Sequence, residues 1–318
     1  MSSPSQVVSI KRAVKAAIAL LLIAVLVRGV DWSEAQRVLT NLPLWPFAVI
    51  LVAMVWELAI SAWRWQWALR MLGLVQPFDY LFEVLAKGYF INNFLPSAVG
   101  GDAYRVVRTM PADGYRSRAL SAVLIERASG LLALLLLGAL AALSLFEEAA
   151  VARWFVGLCA MGGTAVVVFV LILRAGWLKP LTMRLRHRSA FDALEHNLAR
   201  LRRARKEWLY VAAFALVFQI TSVLILCGIF ALIGHPVSFR ACALMAAAAG
   251  IAAVLPVSIN GIGVMEGSLV GMAVALGVDF DVATIAALLR RLMMIVLSVL
   301  CGLAFLMDRE LAPSASTS

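Results

Sequence analysis

Long apolar stretches alternate with short polar segments along almost the whole chain. An apolar run of roughly 20 residues is long enough to cross the hydrocarbon core of a membrane as a helix. Six such runs predict membrane spans, at about 12–30, 44–63, 118–146, 152–173, 208–233 and 282–307. The pattern therefore predicts an all-α, polytopic helical membrane protein.

Two further apolar regions, at about 81–107 and 240–278, are interrupted near their middles by proline, glycine and polar residues. Unpaired backbone groups are too costly to be exposed to lipid, so such a break must be buried in protein or line a wet cavity. We therefore expect two broken or re-entrant helical regions inside the bundle.

The two interruptions share one pattern: Leu-Pro, small residues, a glycine five residues after the proline, and then an acid. Each is followed by an apolar helix that contains arginine, Arg127 in the first case and Arg290 and Arg291 in the second. These features predict an inverted-topology repeat, with a first unit at about 44–146 and a second at about 208–307. Chance similarity between two proline-containing hairpins is the alternative.

Basic residues between the spans predict the orientation. Arg64 and Arg105 are assigned to cytoplasmic segments that flank the second and third spans, together with the loop 174–207, which carries ten Lys or Arg residues. The loop fits either a solvated segment or an amphipathic helix on an anionic leaflet. We expect a multi-pass protein of the inner, cytoplasmic membrane with both termini in the cytoplasm.

Composition narrows the class of protein. The chain has 318 residues, of which 63% are hydrophobic and 14% charged, and this excludes an ordinary soluble domain. The net charge of +10 lies mostly between apolar stretches, without an aromatic-interleaved basic patch, so nucleic acid is not an expected partner. We expect one transmembrane domain over 1–311 and a disordered tail over 312–318.

Signatures of catalysis are missing from the sequence. The four cysteines lie in apolar segments without metal-ligand spacing, and the three histidines are scattered. No P-loop or nucleophile motif is present. We therefore expect no enzyme activity, no metal and no cofactor.

Ionisable residues inside spans cost about 2.5–3.5 kcal/mol each on insertion scales and usually face a bundle interior. Arginine binds phosphate through two parallel hydrogen bonds, so the buried arginines and the broken-helix residues are candidates for a lipid head-group site. The candidate substrate-binding residues are Arg127, Arg290, Arg291, Asn93, Ser97, Gly100, Gly101, Asn260 and Gly261. The candidate gating or coupling acids are Asp102, Glu126 and Glu266. Pairing of these charges only with one another is the alternative.

Three glycines, Gly263, Gly267 and Gly271, recur every four residues on one face of a predicted helix. Small residues at this spacing let helices approach closely in membranes. The stripe predicts a packing contact, with a substrate groove as the alternative.

The motifs at 92–105 (Asn-Asn-Phe-Leu-Pro-Ser-x-x-Gly-Gly-Asp-x-x-Arg), Glu126-Arg127-x-x-Gly130, 256–266 and Arg290-Arg291 carry a family resemblance. Together they resemble the lysylphosphatidylglycerol synthase transmembrane-domain family of flippase-like proteins. The resemblance implies a membrane domain that moves lipids or lipid-linked precursors between leaflets. Because the sequence ends at Ser318, we expect no soluble aminoacyl-transferase domain and no lysyl transfer.

The leading hypothesis is therefore a flippase or transporter for an anionic or otherwise polar-headed lipid, with membrane lipids as its partners. The alternative is a non-transporting scaffold for an envelope lipid or glycan synthase. A scaffold would depend on the basic loop more than on the buried arginines.

Overall fold

A computed structural model describes residues 43–94, 100–109, 116–147, 150–157, 204–254 and 261–307. Within these ranges the chain is almost entirely helical and contains no strand, which confirms the all-α prediction. The predicted first span, most of the span at 152–173, most of the basic loop and the tail lie outside the described residues.

Eight named helices, with a short helical segment at 150–157 beside them, make up this part of the chain. They are α1 Trp45–Met71, α2 Phe78–Phe94, α3 Gly100–Thr109, α4 Arg116–Ser144, α5 Arg205–Leu232, α6 Phe239–Val254, α7 Val264–Ala275 and α8 Phe280–Met307. Four of them, α1, α4, α5 and α8, are long and apolar enough to cross a membrane. This confirms a polytopic membrane protein.

The two interrupted apolar regions each consist of two shorter helices, α2 with α3 and α6 with α7. Gly261 and Gly263 lead into α7 with φ of +70° and +81°, a conformation that glycine adopts without strain. The Glu266 carboxylate accepts a 2.6 Å hydrogen bond from the Gly263 backbone N–H, which satisfies a donor at the start of α7. The re-entrant path of these regions stays a prediction.

Helices α1–α4 and α5–α8 pack in corresponding ways. The most extensive contact joins α1 to α5, the first helices of the two units. Each unit also packs its second helix on the last helix of the other, because α6 lies on α4 as α2 lies on α8. Among the described helices, every substantial contact has such a counterpart, as expected for two units related by a pseudo-twofold axis.

Aromatic contacts fix the relative direction of the two units. Trp67, near the end of α1, stacks on Tyr210, near the start of α5, with ring centroids 4.1 Å apart. Trp63, one turn earlier in α1, stacks on Phe214, one turn later in α5, at 5.9 Å. α1 and α5 therefore run antiparallel, which is the relation that an inverted repeat requires of equivalent helices.

The second span continues beyond its predicted end at residue 63, and Arg64 and Arg105 are both buried within helices. α1 continues to Met71, and Arg64 is 5% exposed inside it, whereas Arg105 lies in α3 and is 6% exposed. The apolar run ended at residue 63 only because Arg64 interrupted it. The helix continues because the residues beyond it, including the fully buried Trp65, pack in the core.

Within the described ranges, no residue packs closely on Gly267 or Gly271 of the glycine stripe, so its packing role stays a prediction. A Cβ placed on Gly267 or Gly271 would meet no described atom within 4 Å. Close approach occurs instead at Gly101, where a Cβ would overlap the Gly88 carbonyl oxygen and lie 2.7 Å from the Asn92 side chain. The Gly101 N–H also donates a 2.8 Å hydrogen bond to Asn92 Oδ1, which ties α3 to α2.

We expect Gly101→Ala to destabilise the folded protein by about 1–3 kcal/mol, because the added methyl forces α2 and α3 apart. Gly267→Ala is the matched control, since no described atom lies within 4 Å of the added methyl and alanine favours the helix. Thermal unfolding in detergent measures both. Equal melting temperatures for the two variants would contradict the close approach.

Candidate functional site

A cavity of about 370 Å³ lies where the two units meet. All eight named helices contribute to its lining, although α7 does so only through Met265. The lining combines apolar side chains with a dense set of polar ones: Glu57, Ser61, Arg64, Tyr89, Asn92, Asp102, Arg105, Glu126, Arg127, Gln219, Ser222 and Arg290. Glu57 is close to the middle residue of α1, so the cavity lies deep within the bundle rather than at its end.

The first group of side chains comes from α1. Glu57, Ser61 and Arg64 are four and three residues apart, so they form one polar stripe on one face of the helix. All three line the cavity. Apart from Gln66 and Arg70 near its end, the rest of α1 is apolar, which lets the helix lie in a membrane while this stripe points inward.

Glu126 is the centre of the polar network. Its side chain accepts hydrogen bonds from the Ser61 hydroxyl at 2.7 Å and from Arg64 Nη2 at 2.9 Å. The Arg105 guanidinium also donates to its other oxygen. Glu126 is only 4% exposed, so three donors from α1 and α3 compensate a carboxylate buried in α4.

Aromatic rings hold the two arginines that bind Glu126. The Arg105 guanidinium lies 4.1 Å above the Trp65 ring, and that of Arg64 lies 5.0 Å from the Phe218 ring. Such cation–π contacts orient a guanidinium while leaving its edge available. Three buried N–H groups, Nε and Nη1 of Arg64 and Nε of Arg105, have no acceptor among the described residues.

Arg127 and Asp102 form a second ion pair on the cavity wall. Arg127 Nε and Nη2 each donate a 3.0 Å hydrogen bond to a different oxygen of Asp102. The Arg127 side chain is 57% exposed and that of Asp102 is 19% exposed. Asp102 also lies 3.4 Å from Arg105 Nη1, so the pair is linked to the Glu126 network.

Glu266 and Arg291 form the equivalent pair in the second unit. Arg291 Nε donates a 2.5 Å hydrogen bond to Glu266 Oε1. Each acid lies in the first turn of its short helix, and each binds an arginine 25 residues further along the chain. This common spacing makes Asp102 equivalent to Glu266 and Arg127 equivalent to Arg291.

The residue before each of these arginines has opposite charge in the two units. Glu126 precedes Arg127, whereas Arg290 precedes Arg291. The Arg290 guanidinium lies 3.5 Å from the Ser222 hydroxyl, and Glu57 contacts Ser222 as well. Ser61 and Ser222 occupy equivalent positions, at the same distance from the C-terminal ends of α1 and α5. Both units therefore carry a serine here, although its charged neighbour is Glu126 in the first unit and Arg290 in the second.

The structure brings some predicted site residues together and separates others. Arg127, Arg290, Asp102 and Glu126 line the cavity. Arg291 and Glu266 pair behind its wall and do not line it. Gly101 serves helix packing and Gly261 a backbone turn, and Gly100 is not a lining residue. Ser97, Asn260 and the Asn93 side chain lie outside the described part of the structure.

Sequence reasoning missed Ser61, Ser222, Arg64 and Arg105 as site residues. The helical spacing of Glu57, Ser61 and Arg64 was a usable signal, because it places three polar residues on one face of an apolar helix. Arg105 lies three residues after Asp102, so helical spacing also places these two polar residues on one face of their helix.

A comparison with protein families matches residues 12–302 to the lysylphosphatidylglycerol synthase TM region. The chain belongs to this family. The matched region contains every residue that lines the cavity, so the site is part of the domain that defines the family. A search of curated proteins finds no match.

The charges around the cavity favour an anion. Four arginines and three acids line it, so arginine is in excess by one. Arg290 has no carboxylate within salt-bridge distance among the described residues. In the same ranges no group of three His, Cys, Asp or Glu side chains could hold a metal ion. The arginine and hydroxyl groups that line the cavity are donors that could bind an anion.

We expect Glu126→Gln to destabilise the protein by about 3–5 kcal/mol, because it leaves Arg64 and Arg105 buried without their carboxylate. Glu147→Gln, at an exposed position, changes the same charge and serves as the control. Denaturation in detergent, followed by near-ultraviolet circular dichroism, compares the variants. A loss no greater than that of the control would show that the network does not depend on Glu126.

Proposed function

We propose that this protein transfers a lipid with an anionic or otherwise polar head group between the leaflets of the cytoplasmic membrane. The head group would cross through the cavity between the two units while the acyl chains stay in lipid. The observation that supports this most is the arginine-rich cavity, lined from both units, within a bundle of membrane-crossing helices.

The size of the cavity suits a head group. Pockets that bind small molecules have volumes of roughly 300–1,000 Å³, and this one measures about 370 Å³. It would enclose a phosphate with a small substituent, but not the acyl chains of a lipid. The apolar outer faces of the long helices provide the surface along which the chains would move.

The antiparallel relation of the two units supports transport rather than static binding. In secondary transporters with inverted repeats, the substrate site lies at the interface between the repeats, and rocking of one against the other opens it to either side. The cavity occupies that interface here. Arg290 of α8 and Arg127 of α4 both line the cavity and are the proposed head-group contacts.

Leaflet transfer of labelled lipids in proteoliposomes tests the proposal. We expect Arg290→Gln to lower the transfer rate of an anionic phospholipid at least about tenfold, because it removes charge-assisted hydrogen bonds to the head group. Arg240→Gln is the matched control, since Arg240 is exposed and lies outside the cavity. Transfer is followed by quenching with a membrane-impermeant reductant.

Two results would contradict the proposed function. One is a transfer rate for the folded wild-type protein equal to that of protein-free liposomes, for every head group tried. The other is an equal transfer rate for the Arg290 and Arg240 variants, which would show that the lipid head group does not pass through the cavity.

A further inference from the structure

The two equivalent ion pairs differ in burial. The side chains of Asp102 and Arg127 are 19% and 57% exposed, whereas those of Glu266 and Arg291 are 6% and 10% exposed. Both pairs join a short helix to the long helix that follows it, with the same spacing along the chain. The fold thus repeats one interaction in two environments, and only one of the two faces the cavity.

This difference decides which pair can exchange partners. An ion pair with an exposed member contributes less than a buried one, since water and other ions compete for that member. A buried pair cannot open without leaving an uncompensated charge. Glu266 is further fixed by the Gly263 N–H, so that its two oxygens have separate partners. Asp102 and Arg127 are under no such constraint.

The geometry of Arg127 shows what could replace Asp102. Its Nε and Nη2 donate to two oxygens of one carboxylate, and arginine makes the same two parallel hydrogen bonds to phosphate. Asp102 therefore occupies the donor edge that an oxyanion in the cavity would take. A displaced Asp102 would also find a partner, because Arg105 Nη1 is already 3.4 Å from it and Arg105 Nε has no acceptor among the described residues.

We propose that Asp102 occupies the Nε and Nη2 donors of Arg127 only until an oxyanion enters the cavity. The oxyanion then takes the place of Asp102, and Asp102 moves to Arg105. The Glu266–Arg291 pair stays closed during this exchange and holds α7 on α8. The inference rests on the proposed function in that the oxyanion is the phosphate of a transported lipid.

Binding of two short-chain lipids that differ only in phosphate tests the exchange: dioctanoyl phosphatidic acid and dioctanoylglycerol, titrated onto the detergent-solubilised full chain. We expect Asp102→Asn to tighten phosphatidic acid binding about two- to fivefold, because it removes the internal competitor, and to leave dioctanoylglycerol binding unchanged. Glu266→Gln is the matched control, with the same loss of charge at the equivalent position, and should not tighten binding. Unchanged or weaker phosphatidic acid binding by Asp102→Asn would overturn the proposal.

A second measurement keeps both ion pairs intact. Spin labels are placed in a cysteine-free background on the residue after each partner, at Ala103 and Ala128 in one protein and at Gly267 and Leu292 in another. These are equivalent positions, and none of them is in the buried core. We expect phosphatidic acid to change the distance distribution between 103 and 128 and to leave that between 267 and 292 unchanged. No change at 103 and 128, or equal change in both proteins, would contradict the exchange.

Leaflet transfer measured on the same preparations separates this inference from the proposed function. Ligand-dependent distances without transfer of any lipid would support the exchange and overturn transport. Transfer without ligand-dependent distances would support transport and overturn the exchange.

Discussion

The compensation of buried charge is the constraint on which this structure depends. A carboxylate at the position of Glu126, 4% exposed within an apolar bundle, is tolerable only with donors around it. Arg64 of α1, Arg105 of α3 and the Ser61 hydroxyl supply them, so the network fixes where three helices meet. Apolar packing alone would not specify that position, because lipid is as apolar as the helix faces. The polar network therefore serves both the fold and the cavity that it surrounds.

The network is asymmetric about the pseudo-twofold axis that relates the two units. Equivalent positions carry serine on α1 and α5 and an acid–arginine pair on the short and long helices of both units. The residue facing the cavity is Glu126 in one unit and Arg290 in the other. A symmetric arrangement with two acids would repel an anion, and one with two arginines would leave more charge without a partner. With the observed exchange of sign, Glu126 is compensated within the first unit, whereas Arg290 shares the Ser222 hydroxyl with Glu57 and forms no ion pair among the described residues.

Much of the fold could be predicted from sequence, because membrane helices follow from the length of apolar runs. The long helices and the division of 81–107 and 240–278 into shorter ones were visible as runs and breaks. The roles of Arg64 and Arg105 were not. A basic residue at the edge of an apolar run is more often a loop charge, and only the partner Glu126, distant in sequence, shows that these arginines lie inside. The two equivalent ion pairs also differ in exposure. That difference depends on tertiary packing, and the motif that both units share does not predict it.

The pairing of Asp102 with Arg127 has a consequence for the proposed transport. A transporter must bind its substrate and also release it, and arginines left bare in a dry site would hold a phosphate too strongly. Where carboxylates such as Asp102 share those arginines, binding replaces one anion with another and changes the net interaction only modestly. The same arrangement avoids uncompensated charge in the empty site. Paired acids and arginines of this kind fit repeated loading and release of an anionic group better than permanent capture.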